Sequence, residues 1–202
     1  LETSCIVLAG GKSSRLGYDK VRQTFGGRSL LEQVISRLSW LGSDIIIVTN
    51  AGESTAKLVD HPKLRTVADI HPGKGPLGGI YTGLATSTSF YNLVVASDMP
   101  FLNQALLRYM MQLSADFDIV VPRVGDLVEP LHAIYTKRCL EPIENMLKQS
   151  NLKISQLFPL VKTRYVEASE IERFDPRHLS FFNINTKADL ERARELAREL
   201  EP

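Results

Sequence analysis

The chain has 202 residues, 44% of them hydrophobic, with 24 Lys plus Arg against 23 Asp plus Glu. That length suits one α/β domain with a full core, and the balanced charge excludes a global basic field for nucleic acid or a membrane surface, so any anion site must be local. No apolar run approaches the roughly 20 residues that span a bilayer, no charged-then-apolar leader opens the chain, and its two cysteines, Cys5 and Cys139, show neither metal-ligand spacing nor a disulfide framework.

The first element is the apolar run Cys5-Ile6-Val7-Leu8, a buried strand that stops at Ala9-Gly10-Gly11 and passes into the spaced cations Arg15 and Lys20. Glycine lets bare backbone approach a ligand; arginine offers a bidentate fork and lysine a point charge, so the strand exit reads as a phosphate cradle. Gly11-Lys12-Ser13 is not a Walker A loop, because Ile6 stands where that motif needs its first glycine. Gly73-Lys74-Gly75-Pro76-Leu77-Gly78 matches the dinucleotide string but lies far from the first strand and carries a proline at the helix entry.

Ser29 and Glu32 form a capping box for a helix reaching Leu41. Ile45-Ile46-Ile47-Val48 predicts a strand buried on both faces, Ser54 to Asp60 a short helix, and Leu64 to Asp69 a third strand ending in a carboxylate. A helix follows from Pro76 or Leu77 to Ala85, with the proline in its first turn. Asn92-Leu93-Val94-Val95-Ala96-Ser97 is a buried strand that delivers Asp98 at its carboxyl end, where ligands of open α/β sheets bind, and Pro100 forbids its continuation. The remaining elements are a helix from Asn103 to Leu113, a strand Asp118 to Pro122, a turn at Gly125-Asp126 and an antiparallel ribbon from Glu129 to Tyr135. Then come a helix Lys137 to Gln149 with Pro142 early in it, a helical piece Ile154 to Phe158, a strand Val161 to Val166, and a last short strand Phe181 to Asn185. Thr186 and Asp189 cap the final helix, Lys187 to Leu200.

Asn183 and Asn185, alternating on that last strand, share a face and serve either a site or a turn network before Thr186. Asp69 either contacts a ligand or accepts turn N–H groups. Asp98 is separated from the following helix by Met99-Pro100, which favours a metal role over capping. His61, His71, His132 and His178 are scattered, without a metal-binding pair. Glu129 and His132 either contact a substrate or pair at a sheet edge.

Leu8-Ala9-Gly10-Gly11 with Arg15-Leu16-Gly17 and Asp19-Lys20, then Gly75-Pro76-Leu77-Gly78-Gly79-Ile80, Ser97-Asp98-Met99-Pro100, Glu129-Pro130-Leu131 and Asn183-Ile184-Asn185-Thr186 resemble, in the same order along the whole chain, the molybdenum cofactor guanylyltransferases of the nucleotidyltransferase superfamily. The resemblance implies a single-domain, three-layer Rossmann-like α/β fold over residues 1–202, with a mostly parallel central sheet and an antiparallel addition, its GTP-binding part about 1–100 and its acceptor-binding part about 101–202. It implies Mg²⁺-dependent transfer of GMP from GTP to molybdopterin with release of pyrophosphate, in the cytoplasm, with no nucleic-acid or membrane partner and with contact to other proteins of molybdenum cofactor biosynthesis or to acceptor proteins. Leu8, Ala9, Gly10, Gly11 and Gly78 would lie against the nucleotide, Arg15 and Lys20 on its phosphates, Asn50 (or Thr49, one residue earlier) and Asp69 on base or ribose, Asp98 on Mg²⁺, and Asn183 and Asn185 toward the acceptor. Two other readings keep the fold: a cytidylyltransferase acting on molybdopterin or on a sugar or alcohol phosphate, whose members tend to carry Ala-Ala-Gly where this chain has Ala9-Gly10-Gly11, and a non-catalytic binding domain.

Overall fold

The computed structural model describes residues 2–10, 24–25, 27–41, 44–50 and 62–200. The expected helix over Ser54 to Asp60 and the cradle residues Gly11, Arg15 and Lys20 lie outside them. Among the described residues the strands are β1 (Thr3–Leu8), β2 (Thr24–Phe25), β3 (Arg28–Ser29), β4 (Ile45–Thr49), β5 (Leu64–Ala68), β6 (Tyr91–Ala96), β7 (Ile119–Val124), β8 (Leu127–Val128), β9 (His132–Thr136) and β10 (Thr163–Glu167). The α-helices are α1 (Leu30–Leu38), α2 (Gly75–Thr86), α3 (Gln104–Leu113), α4 (Leu140–Lys148), α5 (Ala168–Ile171) and α6 (Lys187–Leu200).

The central sheet runs β10-β7-β9-β6-β1-β4-β5, with β8 paired to β7. β1 pairs parallel with β4 and β6, β4 with β5, and β7 with β10; β9 runs antiparallel to both β6 and β7. The inner strands of such a sheet are buried on both faces, which is why β1, β4 and β6 are near-continuous apolar runs, while the outer strands β5 and β10 are only partly buried. Alternate residues of β1 divide between two cores. Cys5 and Val7 pack with Leu31, Val34 and Ile35 of α1 and with Leu106, Leu107 and Met110 of α3. Ile6 and Leu8 pack on the opposite face with Leu77, Ile80 and Leu84 of α2 and with Ile143 and Met146 of α4. α2 lies close on β1, since a Cβ at Gly83 would collide with the Ile6 side chain. A third, smaller cluster of Leu30, Phe101, Ile184, Ala193 and Leu196 seats α6 against the start of α1 and the loop after Asp98.

The local signals for helix ends hold. Ser29 Oγ accepts the Glu32 N–H at 3.2 Å and Glu32 returns to the Ser29 N–H at 2.6 Å. Thr186 and Asp189 form the same reciprocal pair before α6, at 3.1 and 2.8 Å. Pro142 is the third residue of α4, where a missing N–H leaves no bond unmade.

Two expectations are corrected. The ribbon from Glu129 is no edge addition: β9 is inserted between β6 and β7, so His132 is 0% exposed in the body of the sheet and not at its edge. Nor do residues Phe181 to Asn185 form a strand. Leu179–Phe181 is a turn of 3-10 helix and residues 182–185 are irregular, because both oxygens of buried Asp175 accept main-chain N–H groups there, from Leu179 at 3.0 Å and Ser180 at 2.8 Å. Local side-chain acceptors of this kind compete successfully with strand pairing.

Candidate active site

Because β1, β4, β5 and β6 are parallel, their carboxyl ends share one edge. Leu8 is opposite both Val48 and Ala96, and Thr49 is opposite Ala68, so the residues that follow line up as Ala9-Gly10, Asn50, Asp69 and Ser97-Asp98. Main-chain bonds continue past the strands and hold that alignment: Ala9 N–H to Val48 O at 2.9 Å, Asp69 N–H to Thr49 O at 2.7 Å and Ser97 N–H to Leu8 O at 3.1 Å. Thr49 is only 2% exposed and its hydroxyl turns to Val67 O at 3.4 Å. Asn50 is the residue at the edge, and its side chain abuts Gly10, where a Cβ would stand 3.0 Å from Asn50 Oδ1.

Of the two roles the sequence allows, Asp69 makes the turn bonds. Its Oδ1 accepts the His71 N–H at 2.9 Å and the Thr82 hydroxyl at 2.7 Å, fixing the turn that leads to α2. Thr82 Oγ1 in turn accepts the Ile70 N–H at 3.1 Å. The other carboxylate oxygen faces Gly78, whose absent side chain leaves the room: a Cβ there would lie 3.2 Å from Asp69 Oδ2 and 2.9 Å from His71 O. α2 starts at this edge after Lys74, with no side-chain cap on its first N–H groups. Uncapped donors at the positive end of a helix dipole favour negative charge nearby.

Asp98 lies in the turn after β6 and is half-buried. It does not cap α3; Asn103 does, accepting the Leu106 N–H at 3.0 Å while its amide donates to Phe174 O at 2.8 Å. The Asp98 main-chain carbonyl receives the Ile184 N–H at 3.0 Å, which hangs the Asn183–Asn185 turn on the same edge. Within that turn the Asn183 amide donates to Phe181 O at 2.9 Å and the Asn185 N–H donates to Asp189 Oδ2 at 2.9 Å. Asn183 is half-buried and Asn185 exposed, so strand alternation does not govern their directions. Glu129 lies three residues before β9, near the end of β6, where Leu131 O accepts the Ala96 N–H at 3.0 Å, and burial raises its carboxyl above the usual range.

The sequence reading missed Thr82, which orients Asp69 from thirteen residues away, and the Asn103–Asp175–Ser180 cluster, in which the Asn103–Ser180 bond crosses 77 residues. Only the cap role of Asn103 had a local signal. A cavity of about 510 Å³ lined in part by Arg37, Phe101, Asn103, Phe174 and Leu179 lies against the start of α3 and includes neither Asp69 nor Asp98. Among the described residues no group of three or more His, Cys, Asp or Glu is placed to hold a metal ion. Mg²⁺ does not require one: it takes one or two carboxylates, keeps several waters and completes its shell with substrate phosphates, so an oxygen donor such as Asp98 fits it. Among the described residues no helix is long and apolar enough to cross a membrane.

A family model described as the MobA-like NTP transferase domain matches residues 5–160. A relative from Pelotomaculum thermopropionicum, named "Probable molybdenum cofactor guanylyltransferase", is 36% identical over 98% of this chain and 94% of its own. The crystal structure of molybdopterin-guanine dinucleotide biosynthesis protein A from Archaeoglobus fulgidus superposes with a TM-score of 0.84 at 29% identity, covering 98% of this chain and 100% of that one. The 2-C-methyl-D-erythritol 4-phosphate cytidylyltransferase of Thermus thermophilus, at 16% identity and a TM-score of 0.69 over 98% of this chain and 100% of that one, shares the fold. Parallel strand ends that gather Gly10, Asn50, Asp69 and Asp98 on one edge, and relatives matched over nearly the full length, lead to one assignment: the chain belongs to the MobA-like NTP transferase family and is a nucleotidyltransferase.

Proposed function

We propose that the protein transfers GMP from GTP to molybdopterin, forming molybdopterin guanine dinucleotide and pyrophosphate. The observation that carries this reading is the shared edge: carboxylates at the ends of β5 and β6 flank the Gly10 exit of β1, and the Asn183–Asn185 turn is tied to the main chain of Asp98. The guanylyltransferase names of the relatives support the choice of donor and acceptor.

The backbone of Leu8, Ala9, Gly10 and Gly11, with Gly78 opposite, accommodates the nucleotide; Asn50 and Asp69 meet its base or ribose. Asp69 is suited to that work because Thr82 and the His71 N–H fix one of its oxygens, so the other needs little ordering when a ligand arrives. Arg15 and Lys20 neutralise the triphosphate and the departing pyrophosphate. The terminal phosphate of molybdopterin is already ionised at neutral pH, so no protein nucleophile or strong base is needed. Its oxygen forms a bond to the α-phosphorus of GTP as the bond from that phosphorus to the β-phosphate bridging oxygen breaks, and the electron pair leaves with pyrophosphate. Asp98 would hold Mg²⁺, which when bound supplies charge neutralisation for the phosphates. Asn183 and Asn185 face the acceptor, so residues 1–100 form the GTP part and residues 101–202 the acceptor part of one domain. The reaction belongs in the cytoplasm, where other proteins of molybdenum cofactor biosynthesis would deliver substrate or receive product.

The test is to incubate the protein with Mg²⁺, molybdopterin and each of the four nucleoside triphosphates. A dinucleotide and pyrophosphate from GTP are expected. Equal or greater product from CTP would instead select the cytidylyltransferase reading, and no product from any nucleotide would select a binding domain.

A further inference from the structure

His132 opens β9, the strand enclosed by β6 and β7, and shares the face of Ile134 that packs toward α3. It is 0% exposed, and neither ring nitrogen has a hydrogen-bond partner among the described residues. Burial pushes the imidazole down to about 4, so the ring is neutral at physiological pH. An unpaired buried polar ring costs stability that leucine in the same place would not, so the needs of the core alone do not account for a histidine.

The ring does have a specific neighbour. It meets Phe181 edge to face, with centroids 5.0 Å apart and planes at 80°, the arrangement in which a polarised ring edge lies against an aromatic face. Phe181 in turn carries the turn above it. Its carbonyl accepts the Asn183 amide at 2.9 Å, and Ile184, the next residue, donates to Asp98 O at 3.0 Å. From behind, Ser180 holds the segment in place, accepting the Asn103 N–H at 2.8 Å and donating its own N–H to Asp175 at 2.8 Å.

We propose that His132 is a positioning residue for the acceptor side: its edge contact sets the height of Phe181, and through it the orientation of Asn183 and of the turn suspended from Asp98. The functional half of this inference rests on the reading of Asn183 as acceptor-facing; the structural half does not.

The experiment compares wild type with His132→Leu, Phe181→Leu and the double variant, reading hydrogen exchange at the Ile184 amide, thermal stability, and the KM values for molybdopterin and GTP. His132→Leu should melt at or above the wild-type temperature, yet exchange Ile184 about fivefold faster and raise the molybdopterin KM by about the same factor, the size of one aromatic edge contact, with the GTP KM unchanged. Phe181→Leu should release Ile184 and raise the molybdopterin KM likewise, though at a lower melting temperature because it also removes packed apolar surface. In exchange and KM the double variant should be no worse than the worse single one, since both remove the same contact. Unchanged Ile184 exchange, a GTP KM that rises with the acceptor's, or effects that multiply would overturn the proposal. Exchange is read on the protein alone, so wild type that makes no dinucleotide would defeat the guanylyltransfer reading while leaving the His132 contact tested. If His132→Leu does not fold, Phe181→Leu by itself must release Ile184.

Discussion

The edge formed by β1, β4, β5 and β6 and the turn at residues 181–185 that meets it are held by different means. At the edge, position comes from the sheet: once Leu8 is opposite Val48 and Ala96, the residues after each strand have almost no freedom, and the bonds of Ala9, Asp69 and Ser97 extend the same ladder. The turn has no ladder. It is held by side chains that reach main-chain groups, Asp175 to residues 179 and 180, Asn103 to Phe174, Asn183 to Phe181, by the short-range main-chain bonds of Phe181 and Phe182 to His178 and Leu179, and by one longer-range main-chain bond, from Ile184 to Asp98. The first region therefore tolerates change in a single side chain without moving, whereas the second depends on a few polar groups whose loss leaves buried partners unpaired.

The sharpest way to break this contrast is Asp98→Ala. The variant removes the carboxylate but keeps the carbonyl that receives Ile184, so GMP transfer should fall on the order of 10²- to 10³-fold while Ile184 exchange stays as in wild type. Retention of most Mg²⁺-dependent transfer would place the metal elsewhere. Asn103→Ala probes the other region. It deletes a helix cap and strands the Phe174 carbonyl, so urea denaturation should show a loss of about 2 kcal/mol, with GTP affinity unaltered. A loss in GTP affinity of the same size would mean that the two regions are one unit. The smallest effect belongs to Thr82→Val, which takes one partner from Asp69 and the acceptor from the Ile70 N–H. The GTP KM should rise about fivefold, equivalent to about 1 kcal/mol, and the molybdopterin KM should not move.

Much of the strand-end edge was legible. Apolar runs bounded by turn residues place β1, β4 and β6, Pro100 marks where β6 must stop, and Asp98 follows from that. The capping boxes at Ser29 and Thr186 are short-range patterns and hold as read. The 181–185 segment was misread because Phe181-Phe182-Asn183-Ile184-Asn185 carries a strand's composition, while the residue that decides its form, Asp175, belongs to the loop before it. His132 was misread for a related reason: a short run after Pro130 looks like an edge, and nothing within it says that β6, some forty residues earlier, pairs along one side and β7 along the other.

By itself the sequence determined the class of fold, the ends of the parallel strands and the carboxylates that stand there, because hydrophobic period, proline stops and caps act within a few residues. Only the tertiary structure decided that β9 is enclosed, that Asn50 rather than Thr49 reaches the edge, and that the asparagine turn hangs from Asp98. Each of these depends on register and on hydrogen bonds between residues far apart in the chain, whose energies are of the same order as the local preferences they override.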